Sequence, residues 1–218
     1  METLQMLSWC CLVFTIWMFS TGLSDLRRMI SGNSTDNIQF LPFLSTAVNN
    51  LGWLYYGQLK GDWTLITVNS IGVILQISYI LAYLYFSTEK FQVVSKVAFA
   101  GAVLAIVYLY FTMLVLDAEQ RLNKLGLLCS AFTISMYLSP LADLAKIVRT
   151  RSTKCLSFSL TVATILTSTS WTLYGLQLSD YYIVVPNVPG ILTSLVRFWL
   201  FWSYASGQDK YTYRPVQA

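Results

Sequence analysis

The chain has 218 residues, 56% hydrophobic and only 11% charged, where a soluble domain carries about 25% charged residues. A formal net charge of +4, with no basic stripe, gives no footing for nucleic acid. Histidine is absent, which removes the usual metal ligand, general base and near-neutral proton carrier. With a mean hydropathy of +0.57, the composition predicts an all-α membrane protein.

Seven apolar runs are long enough to span a bilayer, about 17–25 residues each. They cover residues 7–26, 38–59, 63–86, 97–116, 125–148, 156–178 and 181–204. The second and sixth are rich in Ser, Thr and Asn, which points to faces turned toward protein or water. The first run resembles a signal peptide, but it opens on Glu2 without Lys or Arg. It also has an internal copy, so it is expected to belong to the bundle. Cys10, Cys11, Cys129 and Cys155 form no C-x-x-C pair and read as packing residues, with no disulfide or metal implied. No nucleophile–base pair or glycine-rich phosphate loop is present, so neither an enzyme nor a cofactor is expected.

Sliding the chain on itself by 118 positions aligns Cys11, Phe14, Thr15, Ile16 and Met18 with Cys129, Phe132, Thr133, Ile134 and Met136. In the same register Leu23, Asp25 and Leu26 meet Leu141, Asp143 and Leu144. Trp53, Tyr56 and Gly57 meet Trp171, Tyr174 and Gly175, and Asp62, Asn69 and Gly72 meet Asp180, Asn187 and Gly190. Each copy holds three spans. Three is odd, so an appended copy would sit inverted. The unmatched run 97–116 supplies one extra crossing and restores the orientation. This predicts a 3+1+3 arrangement of parallel triple-helix bundles about an axis along the membrane normal. The expected units are a first bundle at 7–86, a linker helix at 97–116, a second bundle at 125–204 and a tail at 205–218. The Gly101-x-x-x-Ala105 spacing is expected to let the linker pack closely.

Ten basic residues, among them Arg27, Arg28, Lys90, Lys96 and Arg149, fall on one side of these spans. Only Lys60, Arg121 and Lys124 fall on the other. The positive-inside bias places the N-terminus outside or in the lumen and the C-terminus in the cytoplasm. The Asn33-Ser34-Thr35 sequon then falls on a cytoplasmic loop and is expected to be unmodified. Tyr213-Arg214-Pro215-Val216 in the tail has the spacing of a tyrosine sorting signal.

Asn69 and Asn187 occupy the third span of each copy, each in an Asn-x-x-Gly context, and Asn187 lies between Pro186 and Pro189. Proline frees a carbonyl one turn back, which a membrane helix tolerates only where other groups satisfy it. Across a pseudo-two-fold axis the two carboxamides converge near the midplane, where they suit a neutral, hydroxyl-rich ligand. The competing reading is interhelical hydrogen bonding. Trp53 with Asn49, and Trp171 with Thr167, share helix faces at i, i+4. An indole beside a polar group fits a wall that stacks on a sugar ring, while an interfacial anchor is the alternative. Thr15 with Met18 and Thr133 with Met136 share faces at i, i+3, as pocket or as ordinary packing. Pro42, Pro140, Gly22, Pro186 and Pro189 stand at candidate hinge or gating positions. No acidic residue falls at the expected midplane, which favours uncoupled movement over proton coupling.

These features together resemble the SWEET family of sugar transporters over nearly the whole chain. The signatures are Leu41-Pro42, Trp53-Leu-Tyr-Tyr-Gly57, Pro140-Leu141, Ser170-Trp171-Thr-Leu-Tyr-Gly175 and Val185-Pro186-Asn187-Val-Pro-Gly190. Leu23-Ser-Asp-Leu26 and Leu138-Ser-Pro-Leu-Ala-Asp-Leu144 look most like the vertebrate member. The resemblance implies downhill transport of mono- or disaccharides by alternating access, through a pocket built on Asn69, Asn187, Trp53 and Trp171. Asn49, Thr15, Thr133 and Thr167 stand at pocket positions where plant members often carry Ser, and their larger side chains point to a monosaccharide such as glucose. The family carries prolines in the first two helices of each bundle, and this chain has Gly22 and Ser157 at two of the four positions. The resemblance also implies Golgi and plasma membranes and a possible homo-oligomer. A seven-span receptor would not be expected to show the internal copy. The related PQ-loop carriers have a Pro-Gln pair where this chain has Gly22-Leu23 and Pro140-Leu141. A membrane protein that regulates other transporters is the remaining alternative.

Overall fold

The computed structural model describes residues 2–138, 148–149 and 156–204. Among these, every regular element is helical: α1 (Glu2–Ser20), α2 (Leu23–Gly32), α3 (Leu41–Lys60), α4 (Trp63–Phe86), α5 (Lys90–Leu109, continued by a π turn at Tyr110–Leu114), α6 (Ala118–Leu138), α7 (Phe158–Gln177) and α8 (Tyr181–Tyr204). Pro140, Asp143, Cys155 and the tail at 205–218 lie outside the described residues.

Among the described residues, four stretches are long and apolar enough to cross a membrane: Glu2–Gly32, Trp63–Phe86, Lys90–Leu114 and Tyr181–Tyr204. Helices α3 and α7, the polar spans of the sequence, are not among them. Many of their Asn, Ser and Thr side chains face inward instead, though Ser159 and Thr169 are exposed. Asn50, Thr161, Thr164, Thr167, Ser168 and Ser170 are all buried.

Helix α4 packs against both α1 and α3, and α8 packs against both α6 and α7. The third helix of each copy therefore sits between the first two. The two halves meet along two seams, α1 against α7 and α3 against α6, while α5 rests on α3 and α4.

Two glycines set the close approach inside the bundles. A Cβ on Gly72 would stand 2.4 Å from Asn50 Nδ2 and 2.6 Å from Phe19. A Cβ on Gly190 would stand 2.3 Å from Ser168 Oγ and 2.8 Å from Tyr137. Asn50 and Ser168, like Phe19 and Tyr137, are repeat equivalents, so the same knob fills the same hole in both halves. Gly101 behaves otherwise, with nothing within 4 Å of its Cβ position. Contrary to expectation, its face takes no part in packing within the chain.

The first span is not continuous. Ser20 donates to the Ile16 carbonyl and Thr21 to the Met18 carbonyl, each at 2.7 Å. Such side-chain bonds compete with the helical ladder. Gly22 follows, with the Tyr79 ring 2.7 Å from where its Cβ would be. The helix breaks there, and α2 departs with Met29 buried beside Ile38, Phe43 and Tyr79. Pro42 does not kink a helix. It stands in the first turn of α3, where its missing N–H costs no ladder bond. Ser157 caps α7, its Oγ accepting from the Leu160 N–H at 3.2 Å. Asn33 caps α2 in the left-handed region, with φ 47°. Helix α5 begins at Lys90 rather than near residue 97, because polar residues ahead of the apolar run continue the same helix.

Candidate functional site

The pseudo-two-fold axis is visible in hydrogen bonds that cross between the halves. The indole N–H of Trp53 donates to Thr133 Oγ1, and that of Trp171 to Thr15 Oγ1, both at 2.9 Å. Each indole thus bonds the threonine of the opposite repeat, and the two bonds are images of each other. Trp53 and Trp171 are both 7% exposed. The symmetry is broken one bond further on. Thr133 donates to Asn49 Oδ1 at 2.7 Å, whereas Thr167, at the position equivalent to Asn49, has a buried hydroxyl without a hydrogen-bond partner.

A cavity of about 660 Å³ lies between the halves. It is lined by Thr15, Asn49, Trp53, Asn69, Thr133, Met136, Thr167, Trp171 and Asn187, every residue named from the sequence as a wall of the pocket. Met18, Gly22 and Pro42 line it as well. Pro186 is buried in α8, and both it and Pro189 stand within that helix.

The two asparagines are held alike. Asn69 Nδ2 donates to the Leu65 carbonyl and Asn187 Nδ2 to the Ile183 carbonyl, each at 2.8 Å. These bonds run to the residue four back on the same helix, so neither carboxamide ties one helix to another. With one Nδ2 hydrogen engaged, the Oδ1 acceptor of each is left for the cavity. The competing interhelical role is not what the geometry shows. The proline disruption is also repaired locally. Pro186 cannot bond the Tyr182 carbonyl, and Ser130 Oγ takes it instead at 2.7 Å.

Asn50 and Gln76 were not anticipated as site residues. Both line the cavity and both are buried, at 2% and 5% exposure. Asn50 Nδ2 and Gln76 Oε1 have no hydrogen-bond partner, as is true of Thr167 Oγ1. Three buried polar atoms without partners therefore belong to residues that line one cavity, where such exceptions are uncommon. Gln76 stands seven residues beyond Asn69, two helical turns along the same face. That periodicity was the available signal.

A second set of crossed bonds joins the halves beyond Leu65 and Ile183, which line the cavity. Tyr56 donates to Asp180 Oδ2 at 2.8 Å, and Tyr174 to both Asp62 oxygens at 3.0 Å. These tyrosine–aspartate pairs are again images of each other across the halves. Asp62 Oδ1 also caps α4 through the Thr64 and Leu65 N–H groups, and Asp180 Oδ1 caps α8 through Tyr182. The carboxylates are thereby fixed in place for the tyrosines. Lys60 adds an ion pair to Asp180, and Leu178 stands at its repeat equivalent, so this pair occurs in one half only. Toward the other end the lining reaches Ser24, Arg28 and Ser157, which are exposed, and Asp25, which is half-buried. Asp25 and Arg28 form an ion pair there at 3.6 Å, too exposed to contribute much stability. Among the described residues no His, Cys, Asp and Glu group could hold a metal ion.

The family model described as a sugar efflux transporter for intercellular exchange matches residues 5–92 and 123–209, one match per repeat. The chain is similar to the sugar transporter SWEET1 of Xenopus laevis, with 61% identity over 100% of both chains. It is 60% identical to the sugar transporter SWEET1 of Homo sapiens, over 92% of this chain and 90% of that one. Among solved structures, a eukaryotic SWEET transporter at 3.7 Å superposes with a TM-score of 0.87 and 26% identity, covering 94% of this chain and 98% of the other. The chain belongs to the SWEET family, whose members are membrane-embedded sugar transporters and not enzymes.

Proposed function

We propose that the chain is a passive uniporter that carries a monosaccharide such as glucose by alternating access. The observation that carries this reading is the cavity between the halves, with Asn69 of one half and Asn187 of the other among its lining residues and Trp53 and Trp171 held by crossed bonds to Thr133 and Thr15. A sugar ring needs both kinds of wall. Its hydroxyls bond the carboxamides and the unpaired Asn50, Gln76 and Thr167 groups, while its C–H face packs on an indole. A volume of about 660 Å³ falls within the range of small-molecule sites, about 300–1,000 Å³.

Alternating access requires a seal at one end that can be exchanged for a seal at the other. The Tyr56–Asp180 and Tyr174–Asp62 pairs supply the first seal. They join opposite halves, so they must break for that end to open. Gly22, where α1 and α2 part, lines the far end and is the backbone position best placed to move. The charge bias of the loops supports an orientation with the latched end outside or in the lumen. The family resemblance supports Golgi and plasma membranes.

Initial uptake of labelled glucose into proteoliposomes tests the mechanism. Uniport predicts the same rate with and without a pH gradient. A strict requirement for the gradient would mean a proton-coupled carrier. No flux of any sugar would leave a regulatory membrane protein.

A further inference from the structure

The break between α1 and α2 rests on a side chain from another helix. Tyr79, on α4, is 1% exposed. Its ring lies against Gly22, with Cε2, Cζ and Cδ2 at 2.7, 3.1 and 3.2 Å from where a Cβ would stand. Any side chain at that position would have to push the ring aside. The Tyr79 hydroxyl donates to the Phe19 carbonyl at 3.2 Å. Around the break the backbone bonds tighten to the residue three back, Thr21 to Met18, Gly22 to Phe19 and Ser24 to Thr21. Tyr79 thus supports the first span where its own hydrogen-bond ladder changes step.

The same ring holds the segment that follows. Met29 of α2 is fully buried in a cluster with Ile38, Phe43 and Tyr79, and the Phe43 and Tyr79 rings are 5.5 Å apart. Helix α2 is therefore docked on α4 of its own half. Docked in this way, it presents Ser24 and Arg28 to the exposed end of the cavity. The repeat does not carry the same device. Pro140 and Arg197 stand at the positions equivalent to Gly22 and Tyr79, so the glycine–tyrosine contact belongs to the first half alone.

We propose that Tyr79 is a positioning residue for transport. Its ring and hydroxyl hold α1 and α2 at the angle that keeps the Ser24–Arg28 end of the cavity open, and the contact is released when that end closes. This rests on the alternating-access reading above. With its hydrogen engaged by the Phe19 carbonyl, Tyr79 acts through the helix break rather than by donating to the sugar.

The test uses the full chain in lipid nanodiscs with Leu160→Cys as a reporter. Leu160 lines the cavity from the first turn of α7, in the other half. Its labelling by a water-soluble maleimide, quantified at that position by mass spectrometry, reads how open this end is. Tyr79→Phe keeps the ring and removes the hydroxyl. It should slow labelling by up to about 10-fold, the range of one neutral hydrogen bond. Gly22→Ala displaces the same ring and should slow labelling too. Both changes together should have less than the product of the two effects, because they act on one contact. Thermal unfolding checks that each variant is folded, and if Gly22→Ala is not, Tyr79→Phe decides alone. Unchanged or faster labelling in folded Tyr79→Phe would overturn the proposal, whatever its thermal midpoint, because a residue that only packs would move the midpoint and not the labelling. Fully additive effects of the two changes would overturn it as well. No sugar enters this measurement, so its failure would leave the glucose reading standing, and a failure of glucose uptake would leave the labelling result standing.

Discussion

Tyr56 of one half donates its hydroxyl to Asp180 of the other at 2.8 Å, and the repeat reproduces the bond as Tyr174 to Asp62. Both bonds run to carboxylates, and each such bond contributes about 1.5–3 kcal/mol. Removing one should shift the balance between the sealed and open states of that end by roughly 10- to 100-fold. Tyr56→Phe and Tyr174→Phe should therefore each increase modification of a cysteine placed at the sealed end of the cavity. Unchanged reactivity in both variants would show that other contacts hold the seal.

Lys60 reinforces only one of the two latches. Lys60→Leu, which matches the residue at its repeat equivalent, should open the sealed end less than Tyr56→Phe does. The same cysteine-modification assay measures both. A larger effect from Lys60→Leu would assign the seal to the ion pair rather than to the symmetric tyrosines.

The glycine contacts give a stability prediction. Gly72→Ala and Gly190→Ala push a methyl into Asn50 and Ser168 across a packed helix pair. Overpacking of this kind costs about 1–3 kcal/mol. Each should lower the thermal midpoint of the purified protein, while Gly101→Ala, with open space around it, should not. A midpoint for Gly72→Ala equal to that of Gly101→Ala would contradict the close approach of α3 and α4.

How much of this was legible in the sequence depends on the kind of relation. The 118-residue repeat identified which residues are equivalent, and the cavity lining follows from it. Asn69 and Asn187 carry the same i−4 bond because they occupy the same place in the same local sequence. What a repeat does not say is which equivalents touch. Tyr56, Asp62, Tyr174 and Asp180 are all visible as repeat matches, yet the pairing crosses from one half to the other and depends on how the bundles face. Gln76 was passed over although its spacing from Asn69 offered a signal, and Asn50 because one more polar residue in an already polar span stands out only once its helix face is known. Pro42 read as a hinge because hydropathy places the start of its span before the helix begins. The polar second and sixth spans were read correctly as inward faces, since Ser, Thr and Asn on a lipid-facing surface carry a direct cost.

The crossed indoles bear on the pocket itself. Trp53→Phe and Trp171→Phe keep an aromatic wall but remove the N–H bonds to Thr133 and Thr15. Each should weaken sugar binding by less than the matching Trp→Ala change, which removes the stacking face as well. Equal losses in the Phe and Ala variants would show that positioning by threonine matters more than stacking.

The central claim is that Asn69 and Asn187 hold one sugar between them, and sugar affinity in the single and double alanine variants tests it most directly. Each variant would be purified, checked for folding by thermal unfolding, and titrated with glucose. Losing one bond to a hydroxyl in a partly dry pocket costs about 1–3 kcal/mol, so Asn69→Ala and Asn187→Ala should each weaken binding by roughly 5- to 150-fold. Because both act on one ligand, the double variant should lose less than the product of the single losses. Normal glucose affinity in either well-folded single variant would contradict the account and return both asparagines to a purely structural role.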